Sequence, residues 1–120
     1  MRGHEGVVEL VQRAEEIVLN TIVLGELLAG FRRGARLREN VELLDRFRSS
    51  PRVRTAGIDE ETAERYGEIV AHLRQAGTPI PTNDVWIAAS AMQLGLRLVT
   101  TDTHFERVPQ VVSLVLPVNR

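Results

Sequence analysis

Short apolar runs alternate with longer segments of helical periodicity along this chain of 120 residues. Apolar residues that recur every three or four positions indicate helices, and short apolar runs between turn residues are typical of buried strands. Strands connected through helices pair in parallel, because a parallel crossover needs about a dozen residues or more. The predicted strands are 16–20, 53–58, 96–100 and 111–116, and the predicted helices are 5–14, 21–33, 35–48, 60–75, 83–94 and a turn at 103–107. The sequence therefore predicts an α/β fold in which helices cover a mostly parallel sheet.

The composition is that of an ordinary globular domain, and it excludes several kinds of site. Hydrophobic residues make up 43% of the chain, and its length suits a single domain, predicted to span residues 1–120. Cysteine is absent, which excludes disulfides, thiolate zinc sites and cysteine nucleophiles. The sequence has neither an apolar run near the roughly 18 residues that span a bilayer nor a secretory leader after Met1, so we expect a cytoplasmic protein.

Positive charge is concentrated in one segment, although the formal net charge of the chain is only -1. Residues 31–56 contain eight arginines against three acidic residues, and all fifteen basic residues of the chain are arginine. The guanidinium group of arginine can donate two parallel hydrogen bonds to one phosphate group. The arginine-rich helix that follows Glu26 is therefore a candidate for phosphate contacts. A bias towards arginine codons, together with solvated helix surfaces, explains the same composition without any ligand.

Three acidic residues stand apart from the solvated surface charges. Glu26 lies within a predicted helix whose neighbouring positions are apolar or small, where an unpaired carboxylate costs free energy unless a cation meets it. Asp84 occupies the first turn of its predicted helix, and Asp102 follows the predicted strand 96–100, where sites form in parallel sheets. The position of each residue also has an explanation that involves no metal. Glu26 can reach water at the edge of its helix, Asp84 can be stabilised by the positive end of the helix dipole, and Asp102 can cap a turn.

Taken together, the three carboxylates predict a site for a divalent ion. Carboxylates gathered at one edge of a sheet repel one another unless a cation joins them. Oxygen ligands favour Mg²⁺ or Mn²⁺, and such an ion activates water for attack on a phosphodiester. The histidines, His4, His72 and His104, show no metal-ligand spacing, although His104 is close enough to Asp102 in sequence to touch a substrate.

Three segments resemble the PIN domain, specifically the VapC-type toxins of bacterial and archaeal toxin–antitoxin pairs. They are TIVLGELLAGF at 21–31, PIPTNDVWIAA at 79–89 and LVTTDTHF at 98–105, in the order of the family and at about its spacing. The resemblance implies a three-layer fold with a mostly parallel central sheet. It also implies a ribonuclease that depends on Mg²⁺ or Mn²⁺, forms a homodimer and is inhibited by a cognate antitoxin.

The same resemblance implies roles for individual residues. Glu26, Asp84 and Asp102 match three acidic residues of the family, so they are the expected catalytic and metal-binding side chains. Asp84 and Asp102 would hold the metal, with Glu26 as a third ligand or as the group that orients the attacking water. Thr100 matches a hydroxyl residue beside the last of them. The candidate contacts to RNA are Arg32, Arg33, Arg36 and Thr100.

The beginning of the sequence departs from the family pattern. Family members open with a central strand that ends in a metal-binding aspartate, usually in Asp-Thr-Asn or Asp-Thr-Ser, whereas this sequence begins Met1-Arg2-Gly3-His4. We therefore expect the first, central strand to be missing, which would leave backbone groups unpaired and a gap in the core. A misassigned start codon, a trimmed chain and a strand supplied by a partner chain are three open explanations.

Three functions follow from these features. The first is a ribonuclease toxin that hydrolyses RNA at a carboxylate-bound ion. The second is an impaired or non-catalytic PIN-like module that binds an antitoxin or RNA, which the missing aspartate favours; as given, we expect the chain to be impaired or inactive. The third is a response-regulator-like or phosphatase-like domain, which requires an acidic cluster after an early strand that 16–20 does not offer.

Overall fold

The computed structural model describes residues 2–100 and 102–115, with side chains from Val8 onward in these ranges. The chain divides into two compact units, one made of the described residues of Met1–Arg13 and Ile58–Arg120 and the other of Ala14–Gly57. The elements in chain order are α1 (Arg2–Arg13), β1 (Ile17–Asn20), α2 (Thr21–Arg33), α3 (Leu37–Arg48), β2 (Val53–Ala56), α4 (Glu60–Ala76), α5 (Thr82–Leu94), β3 (Leu98–Thr100), a 3₁₀ helix (Thr103–Arg107) and β4 (Ser113–Val115). No helix within the described ranges is long and apolar enough to cross a membrane.

In the unit Ala14–Gly57, β1 and β2 form a parallel pair that is connected through α2 and α3. The register begins with Ile17 opposite Val53. Asn20 ends β1 and also caps α2, because its side-chain oxygen accepts a hydrogen bond from the Ile22 N–H at 2.7 Å. The strand therefore leads without a loop into the helix that carries Glu26.

In the other unit, α4 and α5 pack against each other and supply most of the buried side chains. Tyr66 of α4 stacks on Trp86 of α5, with ring centroids 4.0 Å apart and an angle of 24° between the rings. Small side chains on α5 allow close approach of the two helices. The buried residues of these helices are Thr62, Ile69, Leu73, Val85, Ile87, Ala88, Ala89, Ser90 and Ala91. This packing fixes the position of the first turn of α5, where Asp84 lies.

β3 and β4 form a second parallel pair, in which Leu98 lies opposite Ser113. α5 ends at Gly95, whose φ of 64° lies in the left-handed region that glycine adopts without strain, and the chain turns there towards β3. The 3₁₀ helix follows β3, and its Phe105 is only 4% exposed. Burial of this ring fixes the segment that carries Asp102 and His104.

The prediction of an α/β fold with parallel strands is confirmed, and each predicted helix and strand has a counterpart among the described residues. The strands are shorter than predicted: 96–100 begins at Leu98 and 111–116 at Ser113, while Leu116 lies outside the described residues. The four described strands pair within their own units, β1 with β2 and β3 with β4. The first described element is the helix α1.

Candidate active site

Asp84 lies in the first turn of α5, which begins directly after the Pro79-Ile80-Pro81 connector. The backbone N–H of Val85 donates to the Pro81 carbonyl at 3.2 Å and closes this turn. A carboxylate at this position is stabilised by the positive end of the helix dipole. The side chain of Asp84 is only 14% exposed, so its carboxylate is largely shielded from water.

Asp102 follows β3 and begins the 3₁₀ helix. Its Oδ1 accepts a hydrogen bond from the His104 backbone N–H at 2.8 Å, and its own N–H donates to the Thr100 hydroxyl at 3.0 Å. These two hydrogen bonds, with the buried Phe105 ring beyond them, fix the direction of the carboxylate. One of the ordinary explanations is thus confirmed, since Asp102 is a cap; it also faces a second carboxylate.

The imidazole of His104 lies between the two aspartates. Its Nδ1 is 3.0 Å from Oδ2 of Asp84 and 3.1 Å from Oδ1 of Asp102. Asp84, Asp102 and His104 each offer one ligand atom, and these three atoms lie within 4.8 Å of one another. Two carboxylates from distant parts of the sequence therefore meet at one histidine, at the end of β3.

His104 is the residue that sequence reasoning underestimated. The histidines have no metal-ligand spacing in the sequence, but the short 3₁₀ helix turns the His104 ring towards α5, and its Nδ1 lies 3.0 Å from Oδ2 of Asp84. Regular spacing rules apply to ligands on one helix, whereas Asp84 and His104 are separated by 20 positions. The available signal was its position two residues after a candidate site aspartate.

Glu26 lies in the middle of α2, in the unit Ala14–Gly57, and its side chain is exposed. Water therefore solvates the carboxylate, and no desolvation cost requires a cation beside it. The structure brings together Asp84 and Asp102, whereas a shared site with Glu26 stays a prediction.

The predicted RNA contacts differ in their surroundings. Arg32 and Arg33 are exposed in the last turn of α2. Arg36 forms an ion pair with Glu39 at 2.6 Å, and both side chains are more than half exposed. An exposed pair of this kind contributes little to stability, so phosphate can replace the glutamate at small cost. Thr100 uses its hydroxyl to accept the Asp102 N–H, which gives it a role in shaping the site.

The cluster fits a divalent ion by the chemistry of its donors. Carboxylate oxygens suit Mg²⁺ and Mn²⁺, and imidazole nitrogen suits transition metals. The three side chains are 14%, 40% and 38% exposed for Asp84, Asp102 and His104, so an ion can reach the cluster from solvent without unfolding the unit. The arrangement is a small cluster of two carboxylates and an imidazole at a strand end, partly exposed to solvent.

A parallel α/β fold with carboxylates at a strand end is shared by several classes of protein, and the comparisons specify the family. Residues 2–111 match the model of the PIN domain. The chain therefore belongs to the PIN domain family.

Individual relatives agree with this assignment. Ribonuclease VapC4 of Mycobacterium tuberculosis is 31% identical over 98 residues, which cover 82% of this chain and 75% of that protein. The tRNA(fMet)-specific endonuclease VapC of Salmonella typhimurium is 32% identical over 94 residues, 78% of this chain and 70% of that protein. The crystal structure of VapBC2 from Rickettsia felis, bound to a DNA fragment from its promoter, has a TM-score of 0.78 at 28% identity and covers 94% of this chain and 83% of that one. The chain is thus similar to nucleases of the VapC type.

Proposed function

We propose that this chain is an endoribonuclease that depends on Mg²⁺ or Mn²⁺ and acts in the cytoplasm as the toxin of a toxin–antitoxin pair. The observation that carries the proposal is the meeting of Asp84 and Asp102, with ligand atoms of the cluster within 4.8 Å of one another. The names of relatives as ribonucleases support it. We also propose that residues 1–120 form one PIN domain, which the family match over residues 2–111 supports.

The chemistry follows from the residues at the end of β3. Asp84 and Asp102 would hold the ion, and Glu26 of α2 would serve as a third ligand or orient the attacking water. A divalent ion bound there would polarise the phosphodiester and make water a stronger nucleophile at neutral pH. In the overall hydrolysis, the water oxygen bonds to phosphorus, one P–O ester bond breaks, and the departing oxygen takes a proton to become a hydroxyl.

RNA would be held by charge outside the cluster. The exposed guanidinium groups of Arg32, Arg33 and Arg36 offer paired hydrogen bonds to phosphate oxygens. Such contacts carry no sequence information and weaken as salt rises, so they set affinity and not the choice of cleavage site. Thr100 would act indirectly, by fixing the Asp102 backbone.

The test is cleavage of mixed transfer RNA by the purified chain with Mn²⁺, with and without EDTA. We expect Asp84→Asn to lower the cleavage rate by about 100-fold or more, since losing even the partner of a metal ligand costs about 10- to 100-fold. Glu64→Gln is the matched control, because it removes one negative charge from an exposed position on α4. Cleavage by Asp84→Asn at the wild-type rate would refute the assignment.

A second candidate is a PIN-like module that binds an antitoxin or RNA without cleaving it. The cluster favours it in one respect: among the described residues it contains only two carboxylates, and its third member is an imidazole. Binding of transfer RNA by the wild-type chain without chelator-sensitive cleavage supports this candidate. Robust cleavage that EDTA abolishes excludes it, and with it the expectation that the chain is impaired.

Protein partners are also part of the proposal. Large apolar side chains are exposed on α2 and α3: Leu27 is 37%, Leu28 36% and Leu43 57% exposed. Exposed apolar groups on adjacent helices are typical of interaction surfaces. We propose that a cognate antitoxin covers this surface. We also propose that the chain forms a homodimer. Sedimentation of the chain with and without the antitoxin tests both proposals.

A further inference from the structure

The proposed cleavage gives the His104 ring no task, although this ring contacts both aspartates of the cluster. Its Nδ1 faces Oδ2 of Asp84 at 3.0 Å and Oδ1 of Asp102 at 3.1 Å. Nδ1 carries at most one hydrogen, so it cannot donate a full hydrogen bond to both carboxylates. Two arrangements place two carboxylate oxygens this close to one nitrogen: a hydrogen on Nδ1 that both oxygens share, or a cation that all three atoms face.

We propose that Nδ1 of His104 is itself a ligand of the divalent ion, and that this nitrogen makes the site prefer Mn²⁺ to Mg²⁺. The inference rests on the proposed function, because it adds a ligand to the ion that Asp84 and Asp102 would hold. It concerns which metal the chain selects, whereas the proposed function leaves that choice open.

The spacing of the three atoms agrees with this role. Ligand atoms about 2.1 Å from an ion in adjacent octahedral positions lie about 3 Å from each other. The distances from Nδ1 to the two carboxylate oxygens are 3.0 Å and 3.1 Å. An ion can therefore take all three atoms as ligands with little movement of the side chains, provided that the ring carries its hydrogen on Nε2.

The backbone holds the ring at the site independently of any ion. The His104 N–H donates to Asp102 Oδ1 at 2.8 Å, and the next residue, Phe105, is buried at 4% exposure. The imidazole is 38% exposed, which leaves a path for an ion and its remaining water ligands. A preformed ligand of this kind loses little conformational freedom on binding.

The donor chemistry predicts the direction of selectivity. Imidazole suits first-row transition metals, whereas Mg²⁺ prefers oxygen ligands and keeps much of its water. Replacing the nitrogen with a group of similar reach that offers oxygen should therefore weaken Mn²⁺ binding more than Mg²⁺ binding. His104→Asn is such a change, because the asparagine amide reaches about as far as Nδ1 and its NH₂ group still donates to carboxylates.

The alternative is that His104 only positions the aspartates, by donating the Nδ1 hydrogen to them. The two roles differ in a spectroscopic signature. A nitrogen ligand couples to the electron spin of Mn²⁺ and produces nitrogen modulation in pulsed electron paramagnetic resonance, whereas a hydrogen-bond donor that does not bind the ion gives no such coupling.

The experiment uses the full chain loaded with Mn²⁺. We expect nitrogen modulation in the wild type, and we expect it to change when histidine is labelled with the heavy nitrogen isotope. The modulation should be lost in His104→Asn and retained in the matched control His72→Asn on α4. In calorimetry, we expect the Mn²⁺-to-Mg²⁺ affinity ratio to fall by about tenfold or more in His104→Asn. The isotope label tests the ligand in the wild-type protein, so the result does not depend on the folding of a variant.

The outcomes separate this inference from the proposed function. Absence of nitrogen modulation from bound Mn²⁺, or its persistence in His104→Asn, overturns the ligand role while leaving carboxylate binding intact. Unchanged binding of both ions by Asp84→Asn overturns the proposed site. A wild-type chain that binds no Mn²⁺ overturns both.

Discussion

Replacing Tyr66 with leucine should loosen the contact that holds the first turn of α5. The Tyr66 ring stacks on Trp86 with centroids 4.0 Å apart, and Trp86 lies two residues after Asp84. Leucine keeps an apolar side chain at this position of α4 but removes the ring. The change therefore isolates the aromatic contact from general burial.

The expected loss follows from the geometry. A stacked aromatic pair contributes about 0.5–1.5 kcal/mol beyond its buried area, and the smaller leucine also leaves part of the Trp86 face uncovered. We expect Tyr66→Leu to lower the free energy of unfolding by about 1–2 kcal/mol. For a chain of this size, each kcal/mol corresponds to a decrease of about 3–6 °C in Tm. Tyr66→Phe keeps the ring and is expected to change stability by less than about 0.5 kcal/mol.

Urea unfolding, followed by far-ultraviolet circular dichroism and by fluorescence, measures both variants. Trp86 is the only tryptophan of the chain, so its fluorescence reports directly on this contact. Equal free energies of unfolding for Tyr66→Leu and Tyr66→Phe would refute the reasoning, because they would show that the stacked ring contributes nothing to the packing of α4 on α5.

Two further predictions concern stability. Ile69 is fully buried on α4, so Ile69→Ala should lower the free energy of unfolding by about 2–5 kcal/mol in urea. Leu43 is 57% exposed, and Leu43→Ala should lower it by less than about 0.5 kcal/mol. Similar losses in the two variants would contradict the assigned core. Hydrogen bonds from the Thr62 backbone N–H and hydroxyl lower the pKa of Asp59. The ionised Asp59 carboxylate therefore stabilises the fold above its unfolded-state pKa. This stabilisation is lost as the pH falls through the lower folded-state pKa. Below about pH 4 the wild-type Tm should therefore fall more steeply than that of Asp59→Asn, whose cap does not titrate; parallel curves would contradict this.

Local signals explain why the helices were predictable from sequence. Asn20 and Asp59 cap helices with their own side chains, and Gly77 and Gly95 end helices in the left-handed region. Each of these effects depends on residues within one turn of the boundary. Strand pairing depends on residues far apart in sequence, which is why the parallel direction was predictable from the connecting helices but the register of each pair was not.

The aspartates of the candidate site were predictable from sequence in the same way, whereas the contact with His104 was not. Asp84 and Asp102 stand at the ends of elements, a location that sequence patterns identify. The contact between Asp84 and His104 depends on the 3₁₀ helix, whose turn is formed by the Asp102 cap and the buried Phe105, and no periodicity encodes it. For Glu26, the prediction relied on an unsolvated face, and the exposure of its side chain removes that reason without deciding its role.

The two aspartates of the cluster differ in what else they do, and this difference decides which one tests the chemistry. Asp102 accepts the His104 N–H and so holds the 3₁₀ helix together. Its replacement would disturb folding and ion binding at once. Asp84 contacts His104, but α5 (Thr82–Leu94) has no side-chain hydrogen bond at its N-cap, so Asp84 contributes to the start of its helix only through its charge near the helix dipole. Loss of cleavage in Asp84→Asn with an unchanged Tm would therefore report on the site and not on folding.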